Sequence, residues 1–136
     1  MKRLLTLALL AAGCATPLTS SRLSPSFTTT FAALYVSQQQ LIGRTDVIRG
    51  QLRALGSCRR TGPSTTGPGE DWQCTVQSVD TDTTTAQTFE VQLKPDGCWK
   101  ADGPPTSQPA QLADAATGQL LTNPLAEFDG CLDASW

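Results

Sequence analysis

The sequence predicts an α+β domain, with one N-terminal helix packed on a four- to five-stranded antiparallel sheet and two disulfides. Three observations lead there. "FAALYVSQQQLIGR" places Phe31, Leu34, Tyr35, Leu41 and Ile42 at helical intervals. "DWQCTVQSV" and "QTFEVQLK" alternate apolar and polar residues, as half-buried strands do. Four cysteines, Cys58, Cys74, Cys98 and Cys131, fall within or beside the strand-like segments.

At the N-terminus, Lys2 and Arg3 precede an apolar run from Leu4 to Ala12 that closes on Gly13 and Cys14. This is the layout of a secretory signal peptide over residues 1–13. As a helix the run would reach about 14 Å, against a hydrocarbon core of roughly 30 Å, too short for a lasting span. "LLAAGC" resembles the bacterial lipobox, with Ala11 standing where Leu is commonest. That resemblance implies a diacylglyceryl group on Cys14, which becomes the mature N-terminus. The alternative is an ordinary signal peptide that leaves Cys14 as a free thiol. An odd total of five cysteines favours the lipid, because an exposed unpaired thiol is unusual in an exported chain.

Residues 14–27 read as the lipidated cysteine and a flexible tether, since "ATPLTSSRLSPSF" lacks apolar periodicity and holds two prolines. Such a tether would reach about 45 Å extended and nearer 20 Å as a coil. The domain then occupies residues 28–136. Three threonines from Thr28 precede its helix, with Thr29 or Thr30 able to cap the start and Gly43 to stop it. "QQQ" is read as solvated helix surface. A turn at Thr45 and Asp46 leads to a strand ending near Cys58, and the Gly-Pro pairs of "RRTGPSTTGPGED" make a loop. The two alternating strands form a hairpin across a somewhat long "DTDTTT" loop. Pro95-Asp96-Gly97 is a turn before a short strand from Cys98 to Ala101. "AQLADAATGQLL" gives two short strands about Thr117-Gly118, and the tail is irregular up to Cys131.

Four cysteines in an oxidising compartment allow three connectivities. Cys58 with Cys74 and Cys98 with Cys131 is the favoured set. The first bond ties two strands across the Gly-Pro loop, and the second pins the tail to the sheet. On the chain-entropy model they contribute about 3 and 4 kcal/mol. A zinc or redox site is disfavoured, as there is no C-x-x-C spacing and no histidine.

Cleavage before Cys14 removes 13 of 136 residues, leaving 123, with eight basic and twelve acidic groups. The net charge of about -4 argues against nucleic acid or an anionic lipid surface as the main partner. Arg59-Arg60 is the one basic pair and reads as solvated. The absence of histidine excludes Ser-His and Cys-His nucleophiles and leaves a carboxylate pair, drawn from Glu70, Asp71, Asp129 and Asp133, as the residual catalytic route. All four sit beside turn residues, so no catalytic residue is assigned. Asp80, Asp82 and Thr84 alternate like the first ligands of a calcium loop, but the central glycine and closing glutamate are missing, so no metal or cofactor is expected. "GPGED" lacks the lysine of a phosphate-binding loop. Among the tryptophans, Trp72 is placed in the core, Trp136 at a loose terminus, and Trp99, on the face opposite Cys98, is the possible contact residue.

"LYVSQQQLIGRTDV", "DWQCTV", "DGCWKADGPP" and "NPLAEFDGC" together resemble small secreted lipoproteins of actinobacteria of uncharacterised function, over about residues 30–133. Some of these carry loose labels as periplasmic components of ABC-type transporters. The resemblance implies that Cys58, Cys74, Cys98 and Cys131 are the family's cysteines. The expected function is non-catalytic binding or interaction, with a protein or small molecule, by a lipoprotein anchored through Cys14 on the extracytoplasmic face of the cell membrane. The alternative is an accessory component of a transport system, and a carboxylate-based hydrolase ranks third.

Overall fold

The computed structural model describes residues 17–81 and 83–132. The signal peptide, Cys14, Asp82, Asp133 and Trp136 lie outside the described residues. One helix, α1 (Ser20–Leu41), packs on a five-stranded antiparallel sheet. Its strands are β1 (Arg53–Arg60), β2 (Gly69–Asp80), β3 (Thr83–Leu93), β4 (Cys98–Asp102) and, after a small hairpin of β5 (Gln111–Ala113) and β6 (Leu120–Thr122), β7 (Glu127–Cys131). The sheet order is β1-β2-β3-β4-β7. The α+β class and both disulfides agree with the sequence reading.

The helix begins at Ser20, ahead of the expected caps and eight residues before the expected start of the domain at residue 28, so residues 20–27 are not tether. Leu23, Phe27 and Phe31 recur four apart on one face, all with no exposed surface. Pro25 removes one intrahelical bond at a cost of about 3 kcal/mol. Burying Leu23 and Phe27 stabilises by about 1.5–3 kcal/mol each, which offsets it. Pro25 is itself exposed, and so is Ser21, whose carbonyl loses the proton donor. Thr19, not Thr29 or Thr30, is the N-cap. Thr30 and Thr28 instead donate back to the carbonyls of Ser26 and Ser24. Gly43 ends the helix as expected. It takes φ +91°, and the N–H groups of Gly43 and Arg44 return to the carbonyls of Gln40 and Gln39, closing a Schellman motif.

The sheet's inner face is read directly from alternation. Trp72, Cys74 and Val76 on β2 oppose Phe89 and Val91 on β3, then Trp99 and Ala101 on β4 and Phe128 on β7. Five aromatic rings, Phe27, Phe31, Phe89, Trp99 and Phe128, meet at centroid distances of 5.4–6.3 Å. The β2–β3 connection is tighter than expected, as the strands approach to within two residues and Thr81 takes φ 46°. β7 corrects the reading of an irregular tail. Only Phe128 marks it as a strand, and Gly130 is there because a β-carbon would stand 2.6 Å from the Trp99 ring.

Ser20 donates to the Cys58 carbonyl and Ser24 accepts from the Cys58 N–H at 2.9 Å, both at the β1 edge. Ser26 donates to the Cys131 carbonyl at 3.2 Å, at the β7 edge. A flat five-stranded sheet would be about 19 Å wide, against about 10–12 Å for a helix. The sheet therefore curls around the N-terminal half of α1 so that both edges touch it.

Candidate functional site

The antiparallel order gives the molecule two poles. At the first lie the residues before α1, the Gly-Pro loop of residues 61–68, the turn of residues 94–97 and Leu132. At the second lie the end of α1, residues 42–52, the β2–β3 turn, and residues 103–126 with the β5–β6 hairpin.

Both disulfides belong to the first pole. Cys58 and Cys74 are register partners, as are Cys98 and Cys131, in the favoured connectivity. They use opposite faces of the sheet. Cys58–Cys74 is buried beneath α1, whereas Cys131 is exposed on the open face. This parity overturns the placement of Trp99. With Cys98 outward, Trp99 faces the core at 1% exposure, and its indole N–H donates to the Ser26 hydroxyl at 2.9 Å. It is a core residue rather than a contact residue. Trp72 is core as expected, and its indole N–H donates to the Gly67 carbonyl at 3.0 Å. Arg60 is not a solvated cation. It grips Asp71 at 2.6 Å and the Thr66 carbonyl at 2.7 Å, while Asp71 also accepts from the Gly62 N–H. This pairing holds the Asp71 carboxyl below its ordinary value.

The second pole carries the polar chemistry that the sequence reading missed. Gln38 and Gln39 are buried, not solvated. Gln38 donates to Gln108 at 2.6 Å and to Asn123 at 2.9 Å, and Gln39 donates to Gln38 at 3.2 Å. Gln108 donates to Gln87 at 2.6 Å, and Asn123 donates to Gln108 at 3.0 Å. Arg44 joins the chain by donating to Gln39 at 3.0 Å and to Asp80 at 2.7 Å. Tyr35 completes it by donating to Asp80. The row therefore runs without a break from β3 and the β5–β6 region through α1 to the end of β2. Among the described residues no buried side-chain polar atom lacks a partner, which is what makes such a network tolerable in a core.

Asp80 is thus a structural counter-ion of Arg44, not the start of a calcium loop. Arg44 and Tyr35 hold its carboxyl below the ordinary value against the opposing effect of burial. Burial, then the hydrogen bond to Asp80, push the Tyr35 phenol up to about 12. Among the described residues no group of three or more cysteine or carboxylate side chains is placed to hold a metal ion.

Two grooves border the hairpin at this pole and share Thr122. One, of about 560 Å³, lies between the end of α1 and the hairpin and is lined by Leu41, Gly43, Thr45, Ala115 and Pro124. The other, of about 470 Å³, is lined by Pro105, Pro109 and Ala126 over Gln108 and Asn123, with Asp102 and Glu127 at its rim. The hairpin turn is tied to the helix by the Ala115 N–H donating to the Leu41 carbonyl at 2.9 Å. Among the described residues, three of the four exposed large apolar side chains, Ile42, Ile48 and Leu120, belong to this pole. Glu70 and Asp129 are exposed. Asp71 on β2 and Asp129 on β7 are separated by β3 and β4, about 14 Å across the sheet, so these two do not form a carboxylate pair.

No helix among the described residues is long and apolar enough to cross a membrane. Comparison with protein-family models, with curated proteins and with solved structures returns no match, so the fold and the two poles stand on this chain alone.

Proposed function

We propose that the chain is an extracytoplasmic lipoprotein, anchored through Cys14, that performs a non-catalytic interaction role through its second pole. The observation that carries the anchor is one of pairing. Cys58, Cys74, Cys98 and Cys131 consume one another, so no cysteine of this chain is left to pair with Cys14, which stands at the end of "LLAAGC". A lipid on the sulfur accounts for that leftover residue, and two or more acyl chains hold a protein firmly at a bilayer. The second pole supports the interaction role because it combines two grooves with exposed Ile42, Ile48 and Leu120. Membership of the small actinobacterial lipoproteins, on the motifs quoted above, belongs to the same reading.

The test is intact mass and peptide mapping of the protein extracted from membranes. The expected result is an N-terminal Cys14 peptide carrying a diacylglyceryl mass, with Cys14→Ser releasing the protein from the membrane fraction. A mature chain starting elsewhere without a lipid mass would overturn the anchor. Cross-linking on intact cells tests the second half: contacts should map to residues 42–52 or 103–126.

A further inference from the structure

The helix start changes where the domain stands relative to its anchor. A tether reaching Thr28 would hold the domain clear of a bilayer, but the fold takes hold of the chain at Pro17. Arg22 donates to the Pro17 carbonyl at 2.9 Å, and the Gly67 N–H donates to the Leu18 carbonyl at 2.8 Å. Leu18 also packs on the core cluster. A β-carbon placed on Gly97 would lie 3.8 Å from both Leu18 and Leu132. The first pole therefore closes around the incoming chain, and only Ala15 and Thr16 separate Cys14 from Pro17. Fully extended, that stretch spans about 11 Å between α-carbons.

We infer that the first pole is a lipid-facing surface, with the Gly-Pro loop of residues 61–68 and the turn of residues 94–97 held against the headgroups of the bilayer that carries the anchor. This rests on the reading of Cys14 as the lipidated residue. The chemistry of the pole suits headgroups rather than acyl chains. Residues 61–66 are exposed, and the loop is built of Thr, Ser, Gly and Pro, with no large apolar side chain to insert. Arg22, Arg59, Arg60 and Lys94 lie at this pole against Glu70, Asp71 and Asp96, although the chain as a whole is acidic. Among the described residues the pole carries one more basic than acidic side chain, which is compatible with phosphate-rich surroundings. Because α1 runs from this pole to the other over 22 residues, about 33 Å, the grooves at the second pole are presented away from the lipid.

The test uses the full lipoprotein in vesicles of phosphatidylethanolamine and phosphatidylglycerol that carry a headgroup nitroxide lipid. A fluorophore is placed at Ser64→Cys in the loop or at Thr117→Cys in the hairpin turn, with flotation and intact mass confirming the anchor. The expected result is quenching several-fold stronger at position 64 than at 117. Inserting a Gly/Ser spacer of about a dozen residues, with a coil average near 20 Å, between Ala15 and Thr16 should largely remove the difference. Equal quenching at both sites in floated, lipid-bearing protein would overturn the inference and leave the anchor standing. Protein that neither floats nor carries lipid would overturn the anchor, and the inference with it.

Discussion

The two poles are held together by different chemistry. The first is stapled covalently, since Cys58, Cys98 and Cys131 lie within two residues of their strand ends there and Cys58 is tied to Cys74, five residues into β2. The second is held by amides and one ion pair, running from Gln87 through Gln108, Asn123, Gln38, Gln39 and Arg44 to Asp80 and Tyr35. Disulfides act mainly by restricting the unfolded chain. A buried amide row works only if every member is present, so its loss is abrupt and local. The disulfide-bonded end is the one proposed above to face the membrane, and the end with grooves is the one whose integrity depends on side-chain geometry.

The sharpest way to break this contrast is to remove the disulfides one at a time. Loop closure alone favours Cys98–Cys131 slightly, by its sequence separation of 33 against 16. Burial reverses the order. Replacing Cys58 and Cys74 with alanine should cost about 4–5 kcal/mol, because a packing defect under α1 adds to about 3 kcal/mol of lost restriction. Replacing Cys98 and Cys131 should cost about 3–4 kcal/mol. Urea unfolding of the two double variants decides it, and the opposite ranking would show that loop length outweighs burial. Mild thiol reductant followed by alkylation and mass mapping should label Cys98 and Cys131 first, because Cys131 is exposed while Cys58 and Cys74 are covered.

At the other pole, Gln108→Ala leaves Gln38, Gln87 and Asn123 each short of a partner. It should cost about 2–3 kcal/mol. Hydrogen exchange should rise along residues 103–126 while the strand ends near the disulfides keep their protection. Uniform loss of protection would mean that the poles are not separately held.

Tyr35→Phe removes one bond to a carboxylate and should cost about 1–2 kcal/mol. It should also change the pH profile. The raised Tyr35 value means that its contribution is complete below about 10 and is lost as pH rises through about 12, so the Phe variant should be flatter there. Asp80 and Asp71 have the opposite sign. Their lowered values give stability that is present above the ordinary carboxylate value and lost as pH falls through the folded one, and Asp80→Asn should flatten that acid limb.

The inner face of the sheet was legible because β2 and β3 alternate cleanly; Cys58–Cys74 was favoured because it joins two strands across the Gly-Pro loop, and Cys98–Cys131 because it pins a tail expected to be irregular. The start of α1 was obscured by chemistry that normally signals loop. Pro25 and the serines around it concealed that Leu23 and Phe27 continue the phase of Phe31. Gln38 carried no local sign of burial, since its partners Gln108 and Asn123 lie 70 and 85 residues away, and Gln39 is buried beside it, bonded to Gln38 and Arg44. The position of Trp99 was recoverable by parity. Once Cys98 pairs with Cys131, Phe128 must share a face with Trp99, and two large aromatic residues on one face mark the core. A cysteine is usually buried, but here the register turns Cys98 outward and Trp99 inward.

The serines at the start of α1 have a consequence for crowding. A chain held in a plane by the proposed lipid would meet its neighbours at high local concentration, where bare strand edges invite edge-to-edge growth into fibres. Here both outer strands are occupied at their cysteines, β1 by Ser20 and Ser24 and β7 by Ser26. A neighbour's strand would have to displace the helix serines from the edge it approaches before it could add.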